Sequence, residues 1–469
     1  MSESKNDVNR AWTIAVVGGG YSGVMVVVNL LREVRDADIN ILLMEPRARP
    51  GRGLAYSIWD DSMLLNVPAG NMSALADEPS HFLGYCRELD PSLNGGSFVS
   101  RRIYGDYLET LLEQAASASQ VGLHRIHGEA IAVRPGAEGL GFRVELADGK
   151  MFLADQVVLA FGFLGPQPLP LAQALAGSPN YIENPWNFRA MDAIAPERPV
   201  AIIGTGHTAI DALFRLTSLD DSRPVYLLSR HGLLPKAHRA LPQAPVPTGF
   251  PGYLENLPST ALAFMRALRG EIQRRQHLGQ NWRDVLNELR PHTRAIWQRW
   301  PVSERRRFLA RIRPWWDIHR HRLAPAAAAR LKSRLRAGRA EVLAVQIIGM
   351  APDDAGVLMT CRERATGAIK SLRVAAVINC TGPDYDIDRA TSTLVVQLRE
   401  EGLIRADVAR LGLEVDSGYR VIGREGQPMS GLFYVGPMLR ARYWEAIAVP
   451  ELRTHTQQLA RQLLQERML

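Results

Sequence analysis

Cysteine is scarce in this chain of 469 residues, and long apolar runs are absent. The three cysteines, Cys86, Cys361 and Cys380, form no C-x-x-C pair and are too few for a disulfide framework. A redox enzyme that works through a cysteine pair needs two thiols within exchange distance, so this class is disfavoured. No segment reaches the roughly 18 consecutive apolar residues of a membrane span, and the polar start of the chain does not form a signal peptide. We therefore expect a cytoplasmic protein with no membrane partner.

Acidic side chains are too few to balance the basic ones, because the net charge is +8 and the isoelectric point is about 9.6. The excess is concentrated in residues 266–339, where arginines recur along a segment of helical composition. Three interpretations of this segment stay open: a solvated helix face, a funnel for an anionic substrate, or a phosphate clamp. Nucleic-acid binding is not expected, and no metal-ligand spacing is present. The sequence carries no signal for the oligomeric state.

What the chain does have is a glycine fingerprint near its start. The apolar, β-branched stretch Trp12–Val17 predicts a buried strand, and Gly18, Gly20 and Gly23 follow it at the G-x-G-x-x-G spacing. In this motif the first glycine makes the turn, the second admits a pyrophosphate, and the third lets helix and strand pack closely. A second strand ends at Glu45, whose carboxylate would accept hydrogen bonds from ribose hydroxyls. This order predicts a dinucleotide site, and its place at the start of the chain favours FAD over NAD.

A second fingerprint, G-x-G-x-x-A, begins at Gly204 after an apolar strand over residues 199–203. The next strand ends in Ser229 and Arg230, with no acid at its tip. A guanidinium pairs bidentately with phosphate oxygens, so this tip favours NADPH over NADH. A solvated loop charge is the alternative for Arg230. Two dinucleotide sites in one chain suggest that hydride passes from NADPH to FAD.

The predicted fold class is α/β, with two Rossmann-type dinucleotide-binding domains and a helical insertion in the second. We expect an FAD-binding domain over residues 11–168 and 385–469 and an NADPH-binding domain over residues 169–384. The helical insertion would cover residues 235–337 and form a substrate subdomain. The residues expected to contact FAD are Gly18, Gly20, Tyr21, Ser22, Gly23, Glu45 and Gly162. The residues expected to contact NADPH are Gly204, Gly206, His207, Thr208, Ala209, Ser229 and Arg230.

Two further motifs complete a pattern with the fingerprints: residues 65–68, which read Leu-Asn-Val-Pro, and the glycine-ended strand over residues 431–437. Together the four motifs resemble a bacterial FAD/NAD(P)-binding protein family that neighbours the class B flavin-dependent monooxygenases, including N-hydroxylases. The resemblance covers most of the chain. It implies that Asn66 is an active-site residue and that Gly436 lies beside the flavin. One departure is Pro437, where many such proteins have an aspartate, which leaves Gly436 a backbone role.

The resemblance implies an FAD- and NADPH-dependent oxidoreductase, which we interpret first as a monooxygenase. Reduced FAD would form a C4a-hydroperoxide with molecular oxygen and hydroxylate a small polar substrate, for which an acidic, amine-bearing molecule is one option. Asn66 would donate a hydrogen bond to that intermediate, although a turn cap is the alternative role. Arg320, His321 and Arg322 lie near two tryptophans and would bind an anionic substrate; an exposed helix end is the alternative. A flavin reductase without oxygen insertion and a non-catalytic redox sensor also stay open.

Overall fold

The computed structural model describes residues 11–34, 39–58, 60–136, 141–218, 222–239 and 249–467. In chain order its strands are β1 (Trp12–Val17), β2 (Ile39–Glu45), β3 (Gly122–His127), β4 (Ala130–Pro135), β5 (Phe142–Leu146), β6 (Met151–Ala154), β7 (Gln156–Leu159), β8 (Tyr181–Ile182), β9 (Val200–Ile203), β10 (Val225–Ser229), β11 (Ala340–Asp353), β12 (Gly356–Glu363), β13 (Ile369–Val374), β14 (Ala376–Asn379), β15 (Arg420–Ile422) and β16 (Pro428–Tyr434). Its α-helices are α1 (Tyr21–Glu33), α2 (His81–Leu89), α3 (Arg101–Ala118), α4 (Phe188–Asp192), α5 (His207–Leu216), α6 (Ala261–His277), α7 (Trp282–Leu289), α8 (Thr293–Arg299), α9 (Val302–Arg311), α10 (Arg313–Arg320), α11 (Pro325–Arg336), α12 (Thr393–Glu400) and α13 (Val449–Arg467).

The first large sheet has the strand order β15-β16-β7-β1-β2-β3, and all neighbours except β15 and β16 are parallel. Its central strand β1 is a continuous apolar run that is buried on both faces, as expected for a parallel sheet. Helix α1 follows β1 and packs against α3 and α13. Because β1 and β2 are parallel neighbours, their carboxyl ends bring Gly18 and Glu45 to the same edge, where the Gly18 N–H donates to the Met44 carbonyl at 2.9 Å.

The second large sheet has the order β13-β12-β11-β10-β9-β14-β8. Strands β8, β14, β9 and β10 and the first part of β11 are parallel, whereas the rest of β11 forms an antiparallel meander with β12 and β13. The carboxyl ends of β9 and β10 meet in the same way, and the Gly204 N–H donates to the Leu228 carbonyl at 2.8 Å. Two sheets with parallel central strands, each with a glycine turn at the carboxyl edge, confirm the predicted α/β fold class.

Helices α6 to α11 connect β10 to β11, and α6 to α10 share an aromatic core that contains Phe264, Trp297, Trp300, Phe308 and Trp316. This core extends to the chain that follows β16, because the Trp444 ring stacks on Trp297 at a centroid distance of 4.7 Å. The Trp297 indole N–H also donates to the Ala441 carbonyl at 3.0 Å. The helical segment thus packs on the chain that follows the first sheet, and the domain boundaries stay predictions.

Among the helices that the structure describes, none has the length and apolar character needed to cross a membrane. The same described residues contain no group of three or more His, Cys, Asp or Glu side chains that could hold a metal ion.

Candidate functional site

The first fingerprint forms a tight turn between β1 and α1. Gly18 has φ +108°, and a Cβ there would lie 2.8 Å from the Ala160 carbonyl oxygen. A Cβ on Gly23 would lie 1.9 Å from the Gly18 carbonyl oxygen, so a side chain is excluded at both positions. The middle glycine differs, because a Cβ on Gly20 would meet the Cα of Gly53 at 3.6 Å, an ordinary contact. The protein therefore leaves room at Gly20, where the fingerprint predicts a pyrophosphate.

The acid of the first fingerprint is held at this turn. One carboxylate oxygen of Glu45 accepts from the Gly19 N–H at 2.7 Å, and the other accepts from the Arg47 N–H at 3.0 Å. Tyr21 and Ser22, the first two residues of α1, are buried, and no side chain caps this helix. A helix N-terminus with free amides beside a fixed carboxylate fits a pyrophosphate and a ribose, as FAD would present them.

A loop that lies outside the predicted motifs encloses this turn. The Gly51 N–H donates to the Gly19 carbonyl at 2.7 Å, and Gly53 faces Gly20. Between them Arg52 is 3% exposed and pairs with Glu109 at 2.7 Å. The signal in the sequence that could have revealed this loop is Gly-Arg-Gly. Both glycines that flank Arg52 have positive φ in the structure.

The two later glycines assigned to FAD lie after β7 and β16, which are parallel neighbours. Gly436 has φ +147°, and a Cβ there would lie 2.7 Å from the Tyr434 hydroxyl oxygen. That hydroxyl donates to the Phe161 carbonyl at 3.1 Å and so joins the two strand ends. Gly162 is exposed, and a Cβ there would meet nothing within 4 Å.

The second fingerprint repeats the geometry of the first. Gly204 has φ +126°, and a Cβ there would lie 2.2 Å from the Cys380 carbonyl oxygen. A Cβ on Gly206, just before α5, would meet nothing within 4 Å. On α5, Thr208 is half-buried and Ala209 is fully buried. Gly206 lies, like Gly20, at an uncapped helix N-terminus, which suits a second pyrophosphate.

The tip of β10 completes this second turn. The Thr205 hydroxyl donates to the Ser229 hydroxyl at 3.2 Å, and the Ser229 oxygen accepts from the Gly232 N–H at 3.0 Å. Arg230 is exposed, and its carbonyl accepts from Arg364 at 3.3 Å. The Arg230 guanidinium is therefore accessible to a phosphate at the carboxyl edge of the sheet.

His207, the first residue of α5, connects the second fingerprint to the predicted substrate residues. Its Nε2 lies 3.2 Å from the His321 carbonyl oxygen, and because a carbonyl only accepts, Nε2 carries the proton and donates. Burial lowers the pKa of His207 below its ordinary value, so the ring is neutral at pH 7.

The structure brings Asn66 and the predicted substrate residues around one cavity of about 60 Å³, several times the roughly 10–15 Å³ that one water molecule requires. We call it the Arg322 cavity. Its lining residues are Asn66, Val67, Pro68, Asn71, His238, Leu286, Asn287, Arg290, Arg320, His321, Arg322 and Ala448. The sequence alone did not reveal His238, Asn287 and Arg290, because they come from different segments and share no local pattern.

The charged residues of the Arg322 cavity differ in their environments. Arg322 is 4% exposed, and burial together with the positive charges of Arg320 and Arg283 lowers its pKa to about 9. Arg320 lies 3.1 Å from a carboxylate oxygen of Glu445. Burial and the neighbouring Arg320 lower the pKa of His321 well below its ordinary value. His321 is therefore neutral, so it cannot act as one of the cations by which the sequence predicts anion binding.

His238 holds the segment that carries Asn66. Its Nε2 lies 3.0 Å from the Asn66 carbonyl oxygen and donates to it. Burial and the nearby Arg322 lower the pKa of His238 to about 3, so the ring is neutral at pH 7. The Asn66 backbone is thus fixed independently of its side chain, which is half-buried and lines the cavity.

Comparison with known proteins relates the first fingerprint to a described family. Residues 15–164 match the model of a family described as FAD-NAD(P)-binding, which confirms a dinucleotide-binding segment around the first fingerprint. No curated protein matches the chain.

Solved structures match almost the whole length of the chain. The reduced ornithine hydroxylase from Pseudomonas aeruginosa is 15% identical with a TM-score of 0.65, and 97% of this chain aligns with 99% of that one. The ornithine N-hydroxylase from Kutzneria sp. 744, with reduced FAD, NADP⁺ and L-ornithine, is 16% identical with a TM-score of 0.63 over 97% and 99% of the two chains. The FAD-bound cadaverine monooxygenase from Erwinia amylovora is 13% identical with a TM-score of 0.64 over 96% and 94%. The chain therefore has the fold of the N-hydroxylating flavin monooxygenases.

Proposed function

We propose that this protein is an FAD- and NADPH-dependent monooxygenase that hydroxylates a small polar, amine-bearing substrate. The observation that carries the proposal is the Arg322 cavity, in which Asn66 from the first half of the chain faces residues of the helical segment. The cavity adjoins α5 of the second fingerprint through the hydrogen bond between His207 and the His321 carbonyl. The shared fold with ornithine and cadaverine hydroxylating enzymes supports the choice of an amine.

The residues of the two fingerprints fit the two cofactors. Gly20 and Gly206, at the starts of α1 and α5, have no clash at a Cβ position and would receive the pyrophosphates of FAD and NADPH, and the bound cofactors would supply hydride transfer and oxygen activation. The chain itself orients and shields the reacting groups. The Asn66 amide offers hydrogen-bond donors inside the cavity, while Val67, Pro68 and Leu286 form apolar walls that limit water.

A reductase that passes electrons onward without oxygen insertion would use the same two fingerprints. A cysteine-based version of it is disfavoured, because Cys86, Cys361 and Cys380 are all buried and form no pair. A non-catalytic redox sensor would bind FAD without consuming NADPH.

Oxygen reactivity separates these functions. The FAD-loaded protein, reduced by NADPH without oxygen, would be mixed with oxygenated buffer in a stopped-flow spectrometer. A monooxygenase gives a transient absorbance that differs from both reduced and oxidised flavin and decays slowly. Direct return to oxidised flavin, with turnover sustained by an artificial electron acceptor, would establish the reductase. Absence of NADPH oxidation under every condition would establish the redox sensor.

A further inference from the structure

The Arg322 cavity has a strongly one-sided charge. Of the described residues that line it, Arg290, Arg320 and Arg322 are basic and none is acidic. The two histidines in the lining, His238 and His321, have lowered pKa values and add no charge at pH 7. The arginines therefore determine which charge a bound molecule can carry.

Two of the three arginines are already neutralised by carboxylates outside the lining. Arg290 donates two hydrogen bonds to Glu451, at 2.6 and 2.9 Å. Arg320 lies 3.1 Å from Glu445 and 3.6 Å from Glu451. Both guanidinium groups are thus held in place as part of the wall.

Arg322 is different, because it forms no ion pair with any carboxylate of the described residues. One of its terminal nitrogens donates to the Asn287 amide oxygen at 2.6 Å, and its guanidinium lies 6.0 Å from the centre of the Trp282 ring. Its Nε and other terminal nitrogen are buried without a hydrogen-bond partner. A guanidinium does not lose its proton at neutral pH, so it carries an uncompensated charge at a site that is 4% exposed.

An uncompensated buried guanidinium is costly, and a carboxylate is the group that best compensates it. The two oxygens of a carboxylate match two N–H groups of arginine in parallel, in a charge-assisted and bidentate pair. The cavity walls also include Leu286, Val67 and Ala448, which offer no side-chain acceptor. A positively charged ligand would instead add to the unbalanced charge.

We infer that the Arg322 cavity binds its substrate through a carboxylate held by Arg322 and discriminates against diamines. This inference rests on the proposed function, since it takes the molecule in this cavity to be the substrate that is oxidised. The substrate class is a small carboxylate with a net charge of zero or below, and the end opposite the carboxylate extends toward Asn66. The chain would then differ in substrate from the cadaverine monooxygenase whose fold it shares.

A series of five-carbon ligands tests this inference with the FAD-loaded protein. Glutarate, 5-aminopentanoate and cadaverine have the same chain length, and their charge rises from a dianion through a zwitterion to a dication. Calorimetric titration should show that glutarate and 5-aminopentanoate bind at least about tenfold more tightly than cadaverine, because one charge-assisted hydrogen bond is worth about 1.5–3 kcal/mol. Arg322→Met should abolish this difference in affinity between the carboxylates and cadaverine, and Arg322→Lys should retain part of it.

Arg283→Met is the matched control. The Arg283 guanidinium lies over the same Trp282 ring as Arg322, at 4.4 Å from its centre, but Arg283 does not line the cavity. Its replacement should leave carboxylate binding unchanged. If Arg322→Met does not fold, the wild-type series and Arg322→Lys still decide the question.

Three results would overturn the inference. The first is tighter binding of cadaverine than of glutarate, and the second is equal carboxylate binding by wild type and Arg322→Met. The third is a loss of NADP⁺ affinity in Arg322→Met with glutarate binding intact. The last would assign the guanidinium to a cofactor phosphate. These titrations need no turnover, so carboxylate binding by a protein that fails to activate oxygen would refute the proposed function and leave the carboxylate site standing.

Discussion

At the residue scale, the backbone and the side chain of Asn66 have separate tasks. The carbonyl accepts a hydrogen bond from His238, and the side chain lines the Arg322 cavity. Asn66→Ala keeps the first contact and removes the second. We expect flavin reduction by NADPH to stay within about twofold of wild type, while hydrogen peroxide release per NADPH rises severalfold, because removing one such donor costs about 2.7–4 kcal/mol.

The control for this variant is Asn71→Ala, which removes an exposed asparagine from the lining of the same cavity. Its peroxide release should match wild type. A block in flavin reduction by Asn66→Ala would show that the residue serves NADPH binding or hydride transfer instead.

Arg230 carries the second prediction at this scale. Its guanidinium is exposed at the carboxyl edge of the second sheet, one residue after Ser229. Arg230→Ala should raise the KM for NADPH about tenfold or more and leave that for NADH unchanged, because a charge-assisted hydrogen bond to phosphate is worth about 1.5–3 kcal/mol. Steady-state kinetics with both nucleotides measures this. The control Arg336→Ala removes another exposed arginine and should leave the KM values for NADPH and NADH unchanged. If Arg230→Ala changes both KM values equally, Arg230 is a solvated loop charge.

At the scale of elements, the two strand-turn-helix units could be predicted because every requirement is local. The apolar run of β1, the glycines after it and Glu45 at the end of β2 form one continuous signal, and the structure has these elements where the sequence predicts them. The Arg322 cavity could be predicted in part, through Asn66 and residues 320–322. Its other members were missed, since His238 follows β10 and Arg290 follows α7, and the two residues line one cavity only in the folded chain.

The charges of the buried side chains could not be predicted from composition either. The sequence shows His321 between two arginines, which suggests a run of positive charge. In the structure the same arginine neighbour and burial depress its pKa and remove its charge. Glu445 and Glu451, distant in sequence, likewise neutralise Arg320.

The N-terminus of α1 gives a prediction at this scale. Gly20→Val should yield a folded protein that is purified without yellow colour, because the Cβ itself fits beside Gly53 but the larger side chain fills the space of the pyrophosphate. The ratio of flavin to protein absorbance measures the loss, and thermal unfolding checks the fold. Gly84→Val is the control, since Gly84 lies on α2 and its Cβ would meet nothing within 4 Å. A yellow Gly20→Val protein would contradict the assignment of the first fingerprint.

At the scale of the whole molecule, hydride transfer requires that the two nucleotide sites keep a fixed relation, with the reacting atoms about 3–3.5 Å apart. An ion pair joins α3, which packs against α1, to α5: Arg101 at the start of α3 lies 2.7 Å from Asp211, and both side chains are mostly buried. Asp211 is two residues after Ala209, the last residue of the second fingerprint, so this pair bears directly on the position of the predicted NADPH site.

Asp211→Asn should therefore slow NADPH-dependent flavin reduction about tenfold, measured without oxygen, while FAD content stays normal. The control is Asp192→Asn, which breaks the pair between Asp192 and Arg215. This pair also involves α5, but it connects α5 to α4 and is more exposed. That variant should reduce flavin at the wild-type rate. A double-mutant cycle with Arg101→Met should show that most of the Asp211→Asn effect disappears when Arg101 is already absent. If the effects of Asp211→Asn and Arg101→Met on the rate are additive, Asp211 acts through the second fingerprint itself. The two nucleotide sites would then be aligned by the packing of the helical segment on the chain after β16.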